Sequence, residues 1–153
     1  MLQVDHRLGS DHMVEQSEKN FLGMGNYEPS EDELYMSKEQ QDHFERVLKY
    51  WLLALSKEVD SVVSSLQEEL VVFDEIDRAA FEESQRMELR SSDRRRRLQS
   101  KITSALLRVK SGVYGYCKSC GAEIGLSRLE ARPTADECIK CKTIAETYEQ
   151  RGG

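Results

Sequence analysis

Cys117-Lys118-Ser119-Cys120-Gly121 and Cys138-Ile139-Lys140-Cys141 hold the only four cysteines of this 153-residue chain, in two C-x-x-C pairs with 17 residues between them. Each pair aims two thiolates at one point, and two pairs complete a tetrahedron of soft sulfur ligands, the donor set of one Zn²⁺. Gly121 suits the tight turn of such a knuckle, because glycine takes positive φ without steric cost. Four protein ligands leave no position open for water or substrate, so the expected zinc is structural. Two disulfides or a redox pair are the competing reading. Nothing marks the chain as secreted, and reduced cytosolic thiols favour the metal.

Outward from the cysteines, the chain is thin in core-forming residues. It is 39% hydrophobic and 33% charged, a composition that suits helices and a metal-stapled module better than a conventional globule. No apolar run approaches the ~18 residues of a membrane span. The N-terminus lacks the charged and apolar regions of a secretory signal, so the expected location is cytoplasmic. Residues 1–80 carry 18 acids and 7 bases, whereas residues 81–153 carry 10 acids and 15 bases. This asymmetry implies either two contact surfaces of opposite sign or neutralisation between adjacent helices.

Glycine and proline mark out the architecture. No glycine stands between Gly25 and Gly112 and no proline between Pro29 and Pro133, which predicts long helices rather than a turn-rich β fold. Ser37 and Gln40 form a candidate capping box at a helix start. Leu48, Leu52, Leu55, Val59, Val62 and Leu66 then recur at steps of 4, 3, 4, 3 and 4, a heptad seam for one partner helix. A second helix is expected from near Asp77 to Lys110. Ala80, Ser84 and Met87 line its first half, Leu98, Ile102, Ala105 and Val109 its second, and Gly112 caps its end. Each helix would span roughly 50 Å.

Between them, residues 71–77 contain neither glycine nor proline, but Asp74 and Asp77 are good N-cap residues and the apolar register breaks. One continuous helix would need a second chain to cover its seam. A hairpin covers it within one chain and predicts a monomer. The expected fold is mostly α, a long antiparallel coiled-coil hairpin on a small four-cysteine zinc-finger base with a C-terminal helix. Residues 1–34 form an N-terminal segment that either packs on the zinc module through Phe21, Leu22, Met24 and Tyr27 or is a tail. Residues 35–112 form the hairpin with its tip near 71–79, and 113–153 the zinc module.

Asp74-Glu75-Ile76-Asp77-Arg78-Ala79 resembles the D-x-x-D-x-A coiled-coil tip of the DksA/TraR family of bacterial transcription factors. The tail from Gly115-Tyr116-Cys117 through Arg128-Leu129-Glu130-Ala131-Arg132-Pro133-Thr134-Ala135-Asp136 to Cys138 and Cys141 is similar to that family's zinc module. The likeness covers residues 35–149 with the motifs in order. Two features depart from it: the tip lacks the prolines of the closest members, and Lys140 stands where an acidic residue is familiar.

The resemblance implies a protein that binds RNA polymerase directly, inserts its coiled-coil tip into the secondary channel and does not read promoter DNA. It implies altered stability of initiation complexes, an effect strengthened by the alarmone ppGpp. Asp74, Asp77 and Ala79 would be the tip effectors. Arg90, Arg94 and Lys101 match positions that contact the polymerase rim or the alarmone, and Leu98, Lys101, Arg132 and Lys142 match the ppGpp site. Guanidinium forks and ammonium groups are suited to a polyphosphate. For Arg95 and Arg96 the plainer expectation is pairing with acids of the first helix.

Other function classes fit less well. His6, His12 and His43 match no metal-ligand spacing, and no phosphate-cradling glycine loop is present, so no enzyme is expected. Asp74 and Asp77 could in principle hold Mg²⁺, as in a Gre-like transcript-cleavage factor entering the same channel; the D-x-x-D-x-A context and the four cysteines favour the DksA/TraR reading. A zinc-finger DNA-binding protein needs a basic module, yet residues 113–153 carry six bases against six acids.

Overall fold

The computed structural model describes residues 20–69 and 78–152, the side chains of 59–69 excepted. Helix α1 runs Lys38–Glu69 and helix α2 runs Arg78–Lys110. Their 32 and 33 residues make rods of roughly 50 Å at about 1.5 Å per residue. They pack against each other as an antiparallel hairpin. Short helix α3, Leu126–Ala131, and helix α4, Ile139–Arg151, complete the base.

The start of α1 follows from its capping chemistry. The Gln40 N–H donates to Ser37 Oγ at 3.2 Å, and the Met36 N–H donates back to Gln40 Oε1 at 2.8 Å. Two N–H groups that the helix itself cannot pair are thereby satisfied. The end of α2 is a Schellman motif. Gly112 stands at φ 75°, its N–H donates to Val109 O, and the Val113 N–H reaches back to Arg108 O at 3.1 Å.

The core lies at the base of the hairpin. Phe44, Leu48, Ile102, Ala105 and Leu129 are fully buried, and Leu55, Val109, Tyr114 and Ile124 nearly so. Tyr114 donates its hydroxyl to Pro133 O at 2.7 Å, and burial raises its pKa far above the usual phenol value. Arg108, half-buried above the Tyr114 ring, donates to Ala135 O and Thr134 O at 3.1 and 3.3 Å. The last turn of α2 is thereby tied to the zinc-finger module.

The inner face of α2 departs from the expected one. Ala80, Ser84 and Met87 are exposed, Met87 by 62%. Continuing the 3–4 spacing back from Val109, Ala105, Ile102 and Leu98 gives Arg95, Ser91 and Glu88, all half-buried, then Ser84, which shares this phase but is exposed, and the half-buried Phe81. Ala80 and Met87 belong to a phase one residue away. Arg95 also pairs differently: its Nη2 lies 2.7 Å from Glu88 Oε1 on its own helix, seven residues and therefore two turns back, on the same face. Arg96 is exposed.

Residues 20–36 cross the base of the hairpin. The Tyr35 hydroxyl donates to Gly115 O at 2.8 Å and accepts the Gly125 N–H at 3.1 Å. Phe21 meets Trp51 edge to face at 4.7 Å between ring centroids. The Tyr27 N–H donates to Glu130 Oε1 at 2.8 Å. Among the described residues no helix is long and apolar enough to cross a membrane.

Candidate metal centre and basic cavity

Two knuckles build the metal centre. In the first, an antiparallel bridge between Tyr116 and Glu123 closes a tight hairpin. The Cys117 N–H donates to Ala122 O and the Gly121 N–H to Cys117 O, each at 2.8 Å, with Gly121 at φ 73°. In the second, Cys138 precedes α4 and Cys141 lies in its first turn. The Lys118 N–H donates to Asp136 O at 2.9 Å, Lys118 Nζ pairs with Asp136 Oδ2 at 2.8 Å, and Ser119 Oγ bonds Glu137 Oε1 at 3.0 Å. These contacts hold one knuckle against the other.

The four Sγ atoms lie within 4.8 Å of one another, and Cys120 Sγ is 3.8 Å from Cys138 Sγ. A zinc tetrahedron with Zn–S bonds of about 2.3 Å has edges of about 3.8 Å. The thiols are free, not paired as disulfides. Backbone N–H groups, that of Cys138 first, lower the Cys117 pKa to about 6, whereas the neighbouring thiols, Cys138 first, push Cys141 up to about 12. Four thiolates this close repel one another unless a cation sits among them, so the donor set fits one Zn²⁺, which would be held by Cys117, Cys120, Cys138 and Cys141.

Beside the metal centre is a basic cavity of about 370 Å³ between α2 and the zinc module, lined by Lys101, Arg108, Lys118, Arg128, Arg132 and Lys142 together with Asp136 and Glu137. Three of the expected ligand-binding residues, Lys101, Arg132 and Lys142, thus share one cavity although they come from three segments. Leu98 lines an adjoining cavity of about 380 Å³ with Phe21 and Trp51, and that cavity also borders Lys101 and Arg132. Arg90 and Arg94 line neither. They stand exposed on α2 in a series with Arg86, Arg97 and Lys101, at helical spacing that leads toward the basic cavity. Ala79 is exposed in the first turn of α2, while Asp74 and Asp77 lie outside the described residues.

Sequence reasoning missed Arg108, Lys118 and Arg128 as cavity residues. Each is already tied, Arg108 to the carbonyls of 134 and 135, Lys118 to Asp136, and Arg128 Nε to Glu137 O at 3.2 Å. Among the described residues Lys101 and Arg132 carry no such tie, so they present their full charge to the cavity.

Comparison with known proteins supplies the family. Residues 40–109 match the family model of the N-terminal domain of the DnaK suppressor protein DksA, and residues 112–146 match the prokaryotic dksA/traR C4-type zinc finger. The chain belongs to the DksA family. It is 48% identical over 130 residues to the RNA polymerase-binding transcription factor DksA of Salmonella typhimurium, covering 84% of this chain and 86% of that protein. Identity to the DksA of Escherichia coli K12 is the same over the same extent. The Haemophilus influenzae DksA is 45% identical over 133 residues, 86% of this chain and 92% of that one. The solved structure of DksA2 from Pseudomonas aeruginosa superposes with a TM-score of 0.71 at 37% identity, covering 76% of this chain and 90% of that one. The four-cysteine zinc finger and the mostly helical fold are therefore those of the DksA family.

Proposed function

We propose that this protein binds RNA polymerase, delivers the acidic tip of its hairpin through the secondary channel, and changes initiation-complex stability together with ppGpp, without reading DNA. The relatives' names support the polymerase as partner. The observation that carries the alarmone part is the convergence of Lys101, Arg132 and Lys142 on one cavity. Cations from a helix and a neighbouring module, two of them untied, are what a polyphosphate requires. Arg90 and Arg94, exposed on the approach to that cavity, fit the polymerase rim. A rod of roughly 50 Å, with Ala79 in the first turn of α2 and Asp74 and Asp77 in the stretch of sequence that joins the two helices, suits a narrow channel.

No enzymatic step is assigned. Zinc would be held by Cys117, Cys120, Cys138 and Cys141 and would fasten the two knuckles together; Lewis-acid chemistry needs an open position that this donor set would not leave. The protein acts as a monomer in this reading, since Leu48, Leu52 and Leu55 of α1 share one core with Leu98, Ile102 and Ala105 of α2 of the same chain.

The test is capture of purified RNA polymerase core by wild type, by Asp74→Asn/Asp77→Asn and by Lys101→Ala/Arg132→Ala, with initiation assays with and without ppGpp. All three proteins are expected to bind. The tip variant loses the effect on initiation, and the cavity variant keeps a basal effect but loses its enhancement by ppGpp. Failure of wild type to bind polymerase overturns the reading. Unchanged enhancement in the cavity variant overturns the alarmone assignment.

A further inference from the structure

The cavity that adjoins the basic one has a different character. Phe21, Trp51, Leu98 and Ala131 supply its apolar walls, and Lys101, Arg132 and Thr134 line both cavities. Its volume of about 380 Å³ falls in the range of small-molecule sites, about 300–1,000 Å³. Phe21 is 52% exposed, Trp51 and Leu98 are half-buried, and the Phe21 and Trp51 rings meet at 70° with centroids 4.7 Å apart. Two rings so set form a corner, in which a third planar group can stack on one face and meet the edge of the other.

These walls select among ligands. A phosphate finds no side-chain donor on Phe21, Trp51, Leu98 or Ala131, so the cavity does not merely extend the basic one. An aliphatic chain would gain apolar contact but nothing from the ring faces. A nucleobase has a π-face for Phe21 or Trp51 and an edge of donors and acceptors for the Thr134 hydroxyl. Lys101 and Arg132 stand where the two cavities join. There the phosphates of one bound nucleotide would pass from the apolar walls into the basic lining, and a guanidinium also stacks on aromatic planes.

From this juxtaposition, and resting on the alarmone reading of the basic cavity, we infer that the aromatic cavity reads the base of the same molecule. The guanine lies against Phe21 and Trp51 while the phosphates lie among Lys101, Arg132 and Lys142. Phe21 precedes both stretches that match the family models, so its part in the site belongs to the 20–36 segment of this chain. The Tyr27 N–H, bonded to Glu130 Oε1 at 2.8 Å, anchors to α3 the segment that carries Phe21.

The experiment titrates ppGpp into initiation assays with purified RNA polymerase and the zinc-loaded full chain. Phe21→Ala is expected to raise the ppGpp concentration for half-maximal enhancement by about fivefold or more, the loss expected of one stacking partner. Its capture of polymerase without ppGpp stays unchanged, and Phe21→Tyr, which keeps the ring, retains the wild-type value. Trp51 is the only tryptophan of the chain and gives a direct readout. Labelled as 5-hydroxytryptophan, it is excited apart from the tryptophans of the polymerase, and its emission in the complex should change with ppGpp but not with pyrophosphate, which has no base. An unchanged half-maximal concentration in Phe21→Ala, or the same emission change with pyrophosphate, overturns the inference and leaves the alarmone reading of Lys101 and Arg132 standing. Weaker capture of polymerase by Phe21→Ala without ppGpp assigns the cavity to the polymerase itself and also overturns it. Unchanged enhancement in Lys101→Ala/Arg132→Ala removes the alarmone reading, and this inference with it.

Discussion

His43 Nε2 lies 2.7 Å from Glu130 Oε1, with the two side chains only 8% and 7% exposed although 87 residues separate them. One residue comes from the first turns of α1 and the other from α3, and the Tyr27 N–H closes on the same oxygen. The hairpin, the zinc-finger module and the N-terminal segment thus meet at a single carboxylate. Removing one member of a buried, hydrogen-bonded pair leaves the other unpaired, at a cost of about 3–5 kcal/mol. His43→Ala is expected to lower stability by about 3 kcal/mol in urea unfolding. A loss below about 1 kcal/mol would show that the contact holds nothing together.

The same carboxylate makes stability pH-dependent. Its folded pKa lies below the ordinary value of 4.5, so the folded state favours the ionised form. The contribution is complete above that ordinary value and is lost as pH falls through the lower, folded pKa. Unfolding free energies of wild type and Glu130→Gln, measured from neutral pH into the acid range, should therefore converge as pH falls. A gap that stays constant into acid would contradict the assignment.

Metal removal should act on one end of the molecule first. Zinc binding to such a site is worth about 10–16 kcal/mol, comparable with or larger than the whole stability of a domain, about 5–15 kcal/mol. Chelation, or Cys138→Ser, is expected to release one Zn²⁺ per chain and to unfold residues 113–151, with a loss of helical circular dichroism that zinc restores only in wild type. Unchanged folding of the base after complete zinc loss would mean that its core suffices.

The ends of the two long helices give a smaller, cleaner test. Gly112 sits at φ 75°, and a methyl group on its Cα would meet nothing within 4 Å, so Gly112→Ala costs only the left-handed backbone strain of about 1–2 kcal/mol. Ser37→Ala removes the oxygen that receives the Gln40 N–H, worth about 1 kcal/mol. Both should lower the melting temperature by roughly 2–4 °C per kcal/mol, and no fall at all would deny them a capping role.

What the sequence could announce was local. The two C-x-x-C pairs, the Ser37–Gln40 box, the Gly112 stop and the 3–4 spacing of Leu98 to Val109 each act within a few residues, and each stands where its own chemistry requires. Pairings across the chain carry no such signal. His43 lies between Asp42 and Phe44 with nothing to mark Glu130 as its partner, and Arg108, Lys118 and Arg128 join one cavity only because the base folds around them. The phase of α2 before Leu98 is hidden for a related reason: the inner positions there are filled by Glu88, Ser91 and Arg95, so the apolar pattern points to the wrong face.

Arg95 leads to the last prediction. Its side chain is 18% exposed in the middle of the seam, one nitrogen pairs with Glu88, and its Nε is buried without a partner. A buried donor left unpaired costs about 1–3 kcal/mol, and replacing buried charges by apolar groups of similar size is often neutral or stabilising. Methionine has a similar reach and belongs to the apolar heptad pattern that Leu98 and Ile102 continue. Arg95→Met alone would leave Glu88 without its cation, but Glu88 is 36% exposed and can be hydrated. The double change Arg95→Met/Glu88→Gln is therefore expected to raise stability by about 1 kcal/mol, read as a melting temperature higher by roughly 2–4 °C. If instead the double variant melts lower, the polar pair stabilises this part of the hairpin.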